Sequence, residues 1–130
     1  MASLRVEGSE RLRNFRELKV WEKAHRLALS VYRATAAFPT EEKYALTHQI
    51  RRAATSIPTN IAEGCGRGGE KELARFLQIA MGSASELEYH LLLCKDLGLL
   101  DTSLHHDLEK QTTEVKRMLT SFIKKLTADG

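Results

Sequence analysis

At 130 residues, 42% hydrophobic and 28% charged, the chain is sized for one hydrophobic core and composed like an ordinary globular domain, which argues against disorder, collagen-like repeats or a membrane protein. No apolar run approaches the ~20 residues that span a bilayer, and residues 1–14 carry charges where a signal peptide needs an apolar stretch, so a cytoplasmic location is expected. The net charge of +3 is unevenly placed, with eleven Lys or Arg against six Asp or Glu in residues 1–52 and nine against eleven in the remainder, a weak pointer to an anionic partner.

Residues 1–14 are polar, basic and aperiodic and read as a flexible N-terminal tail, leaving 15–130 as one domain. Over 17–38, Trp21, Ala24, Ala28, Val31, Thr35 and Phe38 are spaced by threes and fours, the period of one helical face. Phe38-Pro39 breaks this first helix, and Thr40 followed by Glu41 and Glu42 offers a capping hydroxyl and an acidic first turn for the next. The second helix carries Leu46, Ile50, Ala53, Ile57 and Ile61 and is expected to stop on a left-handed Gly64. Pro58 lacks an amide proton and clashes with the carbonyl of Ala54, which predicts a kink or a split into two helices, with Asn60 and nearby hydroxyls taking up the freed backbone groups.

A glycine-rich connection over 64–69 leads to a third helix over 70–97, with a heptad stripe of Leu73, Leu77, Ala80, Ala84, Leu87, Leu91 and Cys94. Gly98 ends it. Asp101, Thr102 and Ser103 offer caps for a fourth helix striped by Leu104, Leu108, Val115, Leu119, Phe122 and Leu126. Four helices of similar length joined by short loops predict an all-α, antiparallel up-down four-helix bundle, its second helix kinked at a proline. Apolar residues off the main seams, Leu27 and Leu29 in the first helix and Ile79 and Leu93 in the third, are wider than one stripe requires and mark a homo-oligomer interface.

Chemistry-bearing patterns are thin. Gly64, Gly66 and Gly69 match G-x-G-x-x-G, but a helix precedes them where the dinucleotide fingerprint needs a strand, and Glu70 spoils the phosphate-loop pattern. A carboxylate di-metal bundle needs two Glu-x-x-His pairs, and only Glu22 and His25 qualify; His48, His90, His105 and His106 are read with His25 as surface residues, so no metal is expected. Ser56, Ser83, Ser85 and Ser121 lack a nucleophile elbow and a legible base, even near the Pro58 region with its Asn60, so no catalytic residue, cofactor or small-molecule substrate is assigned. Cys65 and Cys94 match no disulfide or zinc framework and are read as free thiols, Cys94 in the core. What remains is a basic cluster, Arg51, Arg52, Arg67, Lys71 and Arg75, suited to phosphate contacts or else a solvated face with local pairs such as Arg75 with Glu72.

The strings FRELKVWEKAH over 15–25, Phe38-Pro39, EKYAL over 42–46, QIRRAA over 49–54, SIPTNIAEG over 56–64, Phe76-Leu77, Gly82-Ser83 and Glu86-Leu87-Glu88 together resemble a bacterial family of small four-helix proteins. Its first known members are encoded in intervening sequences of large-subunit ribosomal RNA genes. Ala45 stands where that pattern has glycine, and Cys65 where it has an aromatic. The resemblance implies a homopentameric bundle without established enzyme activity. It extends to the accessory variability proteins of diversity-generating retroelements, which bind a reverse transcriptase and nucleic acid through a basic surface, and it implies such a role for Arg51 and Arg52. Two readings follow: a non-enzymatic oligomeric scaffold that binds RNA or a nucleic-acid-handling protein, and a helical self-assembly or protein-interaction module with no nucleic-acid partner.

Overall fold

The computed structural model describes residues 3–5 and 11–128, and side chains over 13–40 and 45–128. Within the segment expected as a tail, β1 (Ser3–Arg5) and β2 (Arg11–Arg13) pair antiparallel, Leu4 opposite Leu12. A 3-10 turn over Phe15–Glu17, capped by Asn14 Oδ1 accepting from the Arg16 amide at 3.0 Å, leads into the bundle. Its helices are α1 (Lys19–Thr35), α2 (Thr40–Cys65), α3 (Glu70–Asp96) and α4 (Thr102–Thr127).

Helix contacts run around the four sides, α1 to α2, α2 to α3, α3 to α4 and α4 back to α1, which leaves α1 and α3 across a diagonal. Ser56 faces Ser83 and Gly64 meets Phe76, so position along α3 falls as position along α2 rises. The heptad residues Leu73, Leu77, Ala80, Ala84, Leu87, Leu91 and Cys94 are all buried and join Ile50, Ile57, Ile61, Leu108, Val115 and Leu119 in one core. Leu104, expected on the fourth stripe, lies instead at the exposed start of α4.

Helix ends follow local chemistry, with three departures from expectation. Thr40 is inside α2 and Pro39 is its cap, because proline's fixed φ of −59° with ψ of 135° delivers the chain directly into the helix. The acidic turn of Glu41 and Glu42 lies outside the described side chains. Gly64 is helical too, and α2 ends on Gly66 with a right-handed φ of −88°. A Cβ at Gly64 would sit 2.8 Å from Phe76 Cβ, so that glycine permits α3 to approach α2. Nor does Pro58 divide α2, whose helical run is unbroken, and Asn60 Nδ2 donates to Ser56 O at 2.8 Å, not to the carbonyl of Ala54.

At the other end of α3, Gly98 at φ +77° lets the Leu99 amide reach Cys94 O at 2.8 Å and its own amide reach Lys95 O at 3.0 Å, the paired bonds of a Schellman stop. Asp101 then caps α4, its Oδ1 accepting from the Leu104 amide at 2.7 Å. Among the described residues no helix is long and apolar enough to cross a membrane.

Candidate interaction surfaces

The five basic residues of the expected cluster do not form one patch. Arg51 and Arg52 lie on α2 roughly 20 Å, at 1.5 Å per residue, from the loop holding Arg67. Arg51 is turned into the fold: Nε donates to Thr35 Oγ1 at 2.9 Å, Nη2 donates to Tyr32 O at 3.1 Å, and the guanidinium lies 4.4 Å from the Tyr32 ring centroid. The buried Thr35 hydroxyl in turn donates to Val31 O at 2.8 Å. Arg51 thus places positive charge at the last turn of α1, the end a helix dipole makes negative.

Arg67 and Arg75 come together over Phe76, their guanidinium carbons 4.9 and 4.7 Å from its ring centroid. Arg67 pairs with Glu63 at 2.9 Å and Arg75 grips both oxygens of Glu72 at 3.0 and 3.2 Å. The Arg75 bond holds the Glu72 carboxyl below its ordinary range, while Glu72 raises the guanidinium. Phe76 is buried, as its inward packing requires. Arg52 and Lys71 are exposed and make no ion pair among the described residues.

The oligomer residues divide as well. Leu27 is fully buried and belongs to the core: α1 touches both α2 and α4, so its inward arc is wider than one seam and takes in Val20 and Leu27. Leu29 and Ile79 are 40% and 42% exposed, and Leu93 is half-buried. Sequence spacing missed the company they keep. On α1, Leu29 and Tyr32 continue a shelf in which Phe15 meets Trp21 edge-on at 4.9 Å and Trp21 stacks on His25 at 4.9 Å and 7°. With Pro58 on α2 this shelf walls an open groove of about 530 Å³. On α3, Tyr89 and Leu92 stand exposed beyond Ile79.

Two histidines depart from the surface expected of them. His90 and His105 are buried on α3 and α4, and His90 Nδ1 has no hydrogen-bond partner among the described residues. Among the described residues no three His, Cys, Asp or Glu side chains converge as a metal site would require. Glu22 pairs with Arg26 at 3.4 Å, away from His25 on the Trp21 ring. Ser56 and Ser83 hydroxyls meet at 2.7 Å, with Asn60 Nδ2 donating to Ser56 Oγ at 3.0 Å, a polar contact between α2 and α3.

A third surface was not legible in the sequence, because its cations are scattered along the chain. Between the start of α1 and the second half of α4, a groove of about 730 Å³ is edged by Lys19, Arg117, Lys125 and Arg13, with Met118, Phe122 and Leu126 as its floor. Arg13 is tied down, bonded to Glu70 at 3.5 Å and lying 5.6 Å from the Phe122 ring centroid.

The model of the 23S rRNA-intervening sequence protein family matches residues 16–121 of the chain. A solved structure from Bacteroides thetaiotaomicron, described as a protein with unknown function from the S23 ribosomal protein family, is 26% identical over 81% of this chain and 98% of that one, with a TM-score of 0.72. No curated protein matches the chain.

Proposed function

Given that the chain belongs to the 23S rRNA-intervening sequence protein family, we propose that it is a non-enzymatic helical scaffold that assembles with copies of itself. The observation that carries this is the pair of exposed apolar faces on diagonal helices, Leu29 and Tyr32 on α1 and Ile79, Tyr89 and Leu92 on α3. Faces on opposite sides of a bundle cannot meet by a simple two-fold. They join head to tail, and a head-to-tail contact closes into a ring when its rotation divides the circle. A five-membered ring fits this reading. Multi-angle light scattering tests it: a mass near five chains supports the ring, and a strictly monomeric mass at micromolar concentration removes it.

A second reading, binding of RNA or of a reverse transcriptase-like partner, is favoured by exposed Arg52 and Lys71, which make no ion pair among the described residues. Kinship with the accessory variability proteins belongs to this reading. Arg51, Arg67 and Arg75 contribute less to it, because each already has an intramolecular acceptor. Affinity then arises from phosphate neutralisation, and each duplex phosphate adds a slope of about −0.9 in log affinity against log salt. The Arg52→Ala, Lys71→Ala double variant is expected to flatten that slope by up to about two per engaged protomer. Absence of RNA binding by the wild type at low salt, in fluorescence anisotropy, ends this reading and leaves the scaffold alone.

A further inference from the structure

The α1–α4 groove has a composition that neither self-assembly nor RNA binding uses. Its floor of Met118, Phe122 and Leu126 follows α4 at intervals of four, a stripe about 12 Å long at 1.5 Å per residue. All three side chains are half-buried against the core, so their outer surfaces are open to a partner. Four cations edge this stripe against one carboxylate, Glu70, which bonds Arg13. Lys19, Arg117 and Lys125 are exposed and make no ion pair among the described residues. Three unneutralised cations around an apolar stripe create a positive potential whose complement is acidic at the edges and apolar at the centre.

From this we infer that the groove docks an acidic amphipathic helix of a partner protein, its apolar anchors laid on Met118, Phe122 and Leu126 and its Glu or Asp residues reaching Lys19, Arg117 and Lys125. A helix presents anchors at i, i+4 and i+7 or i+8, the spacing of the floor, and a flexible methionine at one end of it suits a surface that must fit incoming side chains. A nucleic-acid backbone satisfies the cations but buries none of the apolar floor. The inference goes beyond the scaffold reading and does not depend on it.

The test uses the full chain and a fluorescein-labelled synthetic peptide of about 18 residues, with leucines on one helical face and glutamates elsewhere. Beside it stand an isomer of equal composition with the leucines dispersed, and polyuridylate RNA. Two variants are compared with wild type: the Lys19→Glu, Arg117→Glu, Lys125→Glu triple, which breaks no ion pair among the described residues, and Met118→Glu, which puts charge on the floor. Circular dichroism checks that both keep wild-type helicity. Saturable binding of the amphipathic peptide is expected, weakened at least about tenfold in either variant and by dispersing the leucines, and weakened by salt. No saturation below about 1 mM, equal affinity for the dispersed isomer, or full affinity in the triple variant overturns the inference. So does RNA that displaces the peptide and binds Met118→Glu as well as wild type, which makes the groove a phosphate surface. Light scattering on the same samples separates this outcome from failure of self-assembly, because peptide binding is measured whatever the mass of the protein.

Discussion

The Arg51 guanidinium lies against the last turn of α1, with a part-buried bond to Thr35 Oγ1 and an exposed one to Tyr32 O. Losing both bonds and the contact with the Tyr32 ring is expected to lower the unfolding free energy of Arg51→Ala by about 1–2 kcal/mol, whereas exposed Arg52→Ala stays within about 0.5 kcal/mol. Urea titrations at one fixed protomer concentration check the contrast. Equal small losses would return Arg51 to the solvent-facing cluster. Cys65 supplies a pH signature. Burial beside α3 pushes its thiol up to about 11 from 9.0, against a smaller opposing pull from Arg13. Between those values unfolded chains have lost the proton that folded chains retain, so the unfolded state binds fewer protons and stability falls as pH rises from 9.0 to about 11. Cys65→Ala should remove that part of the alkaline slope, and the native thiol should resist alkylation at pH 8 until the chain unfolds.

In α2, two residues that look like helix breakers sit inside the helix, each against a neighbour. Gly64 lies under Phe76, and Gly64→Ala should destabilise by about 1–3 kcal/mol, read in the same titrations, because the added methyl has only 2.8 Å of room. Pro58 is buried and lines the groove walled by the aromatic shelf of α1. Pro58→Ala restores an amide donor and removes a ring from the groove wall, so melting temperature should rise for the protomer while assembly weakens. A fall in both would show that the ring's packing outweighs the backbone cost. These positions explain how far the sequence could be read. The α3 heptad was legible because a helix with one dominant seam repeats its burial every three or four residues. Leu27 was misassigned because α1 has two neighbours and its buried arc exceeds one seam. Gly64, Arg51, His90 and His105 depend on what faces them across the bundle, and no local spacing carries that. The α1–α4 groove escaped notice for the same reason, its cations coming from residues 13, 19, 117 and 125.

Taken as a whole, the bundle presents apolar surface on two helices that do not touch along a side, and the arrangement makes a prediction that distinguishes a ring from other assemblies. In a head-to-tail ring, the α1 face of one protomer meets the α3 face of the next, so every contact needs one Leu29 face and one Ile79 face. Leu29→Glu spoils the first and Ile79→Glu the second. Both residues are already about 40% exposed in the protomer, so each variant should keep its fold to within about 0.5 kcal/mol while losing assembly. Each variant alone is expected to be monomeric, because no protomer retains both halves of the contact. An equimolar mixture behaves differently. The intact α1 face of Ile79→Glu meets the intact α3 face of Leu29→Glu, and growth stops there, since the outer faces of the resulting pair both carry glutamate. Native mass spectrometry should therefore find heterodimers in the mixture and none in either variant alone. An isologous contact through α1 would instead leave Ile79→Glu assembled and the mixture without heterodimers, and it would replace the ring with a two-fold pair.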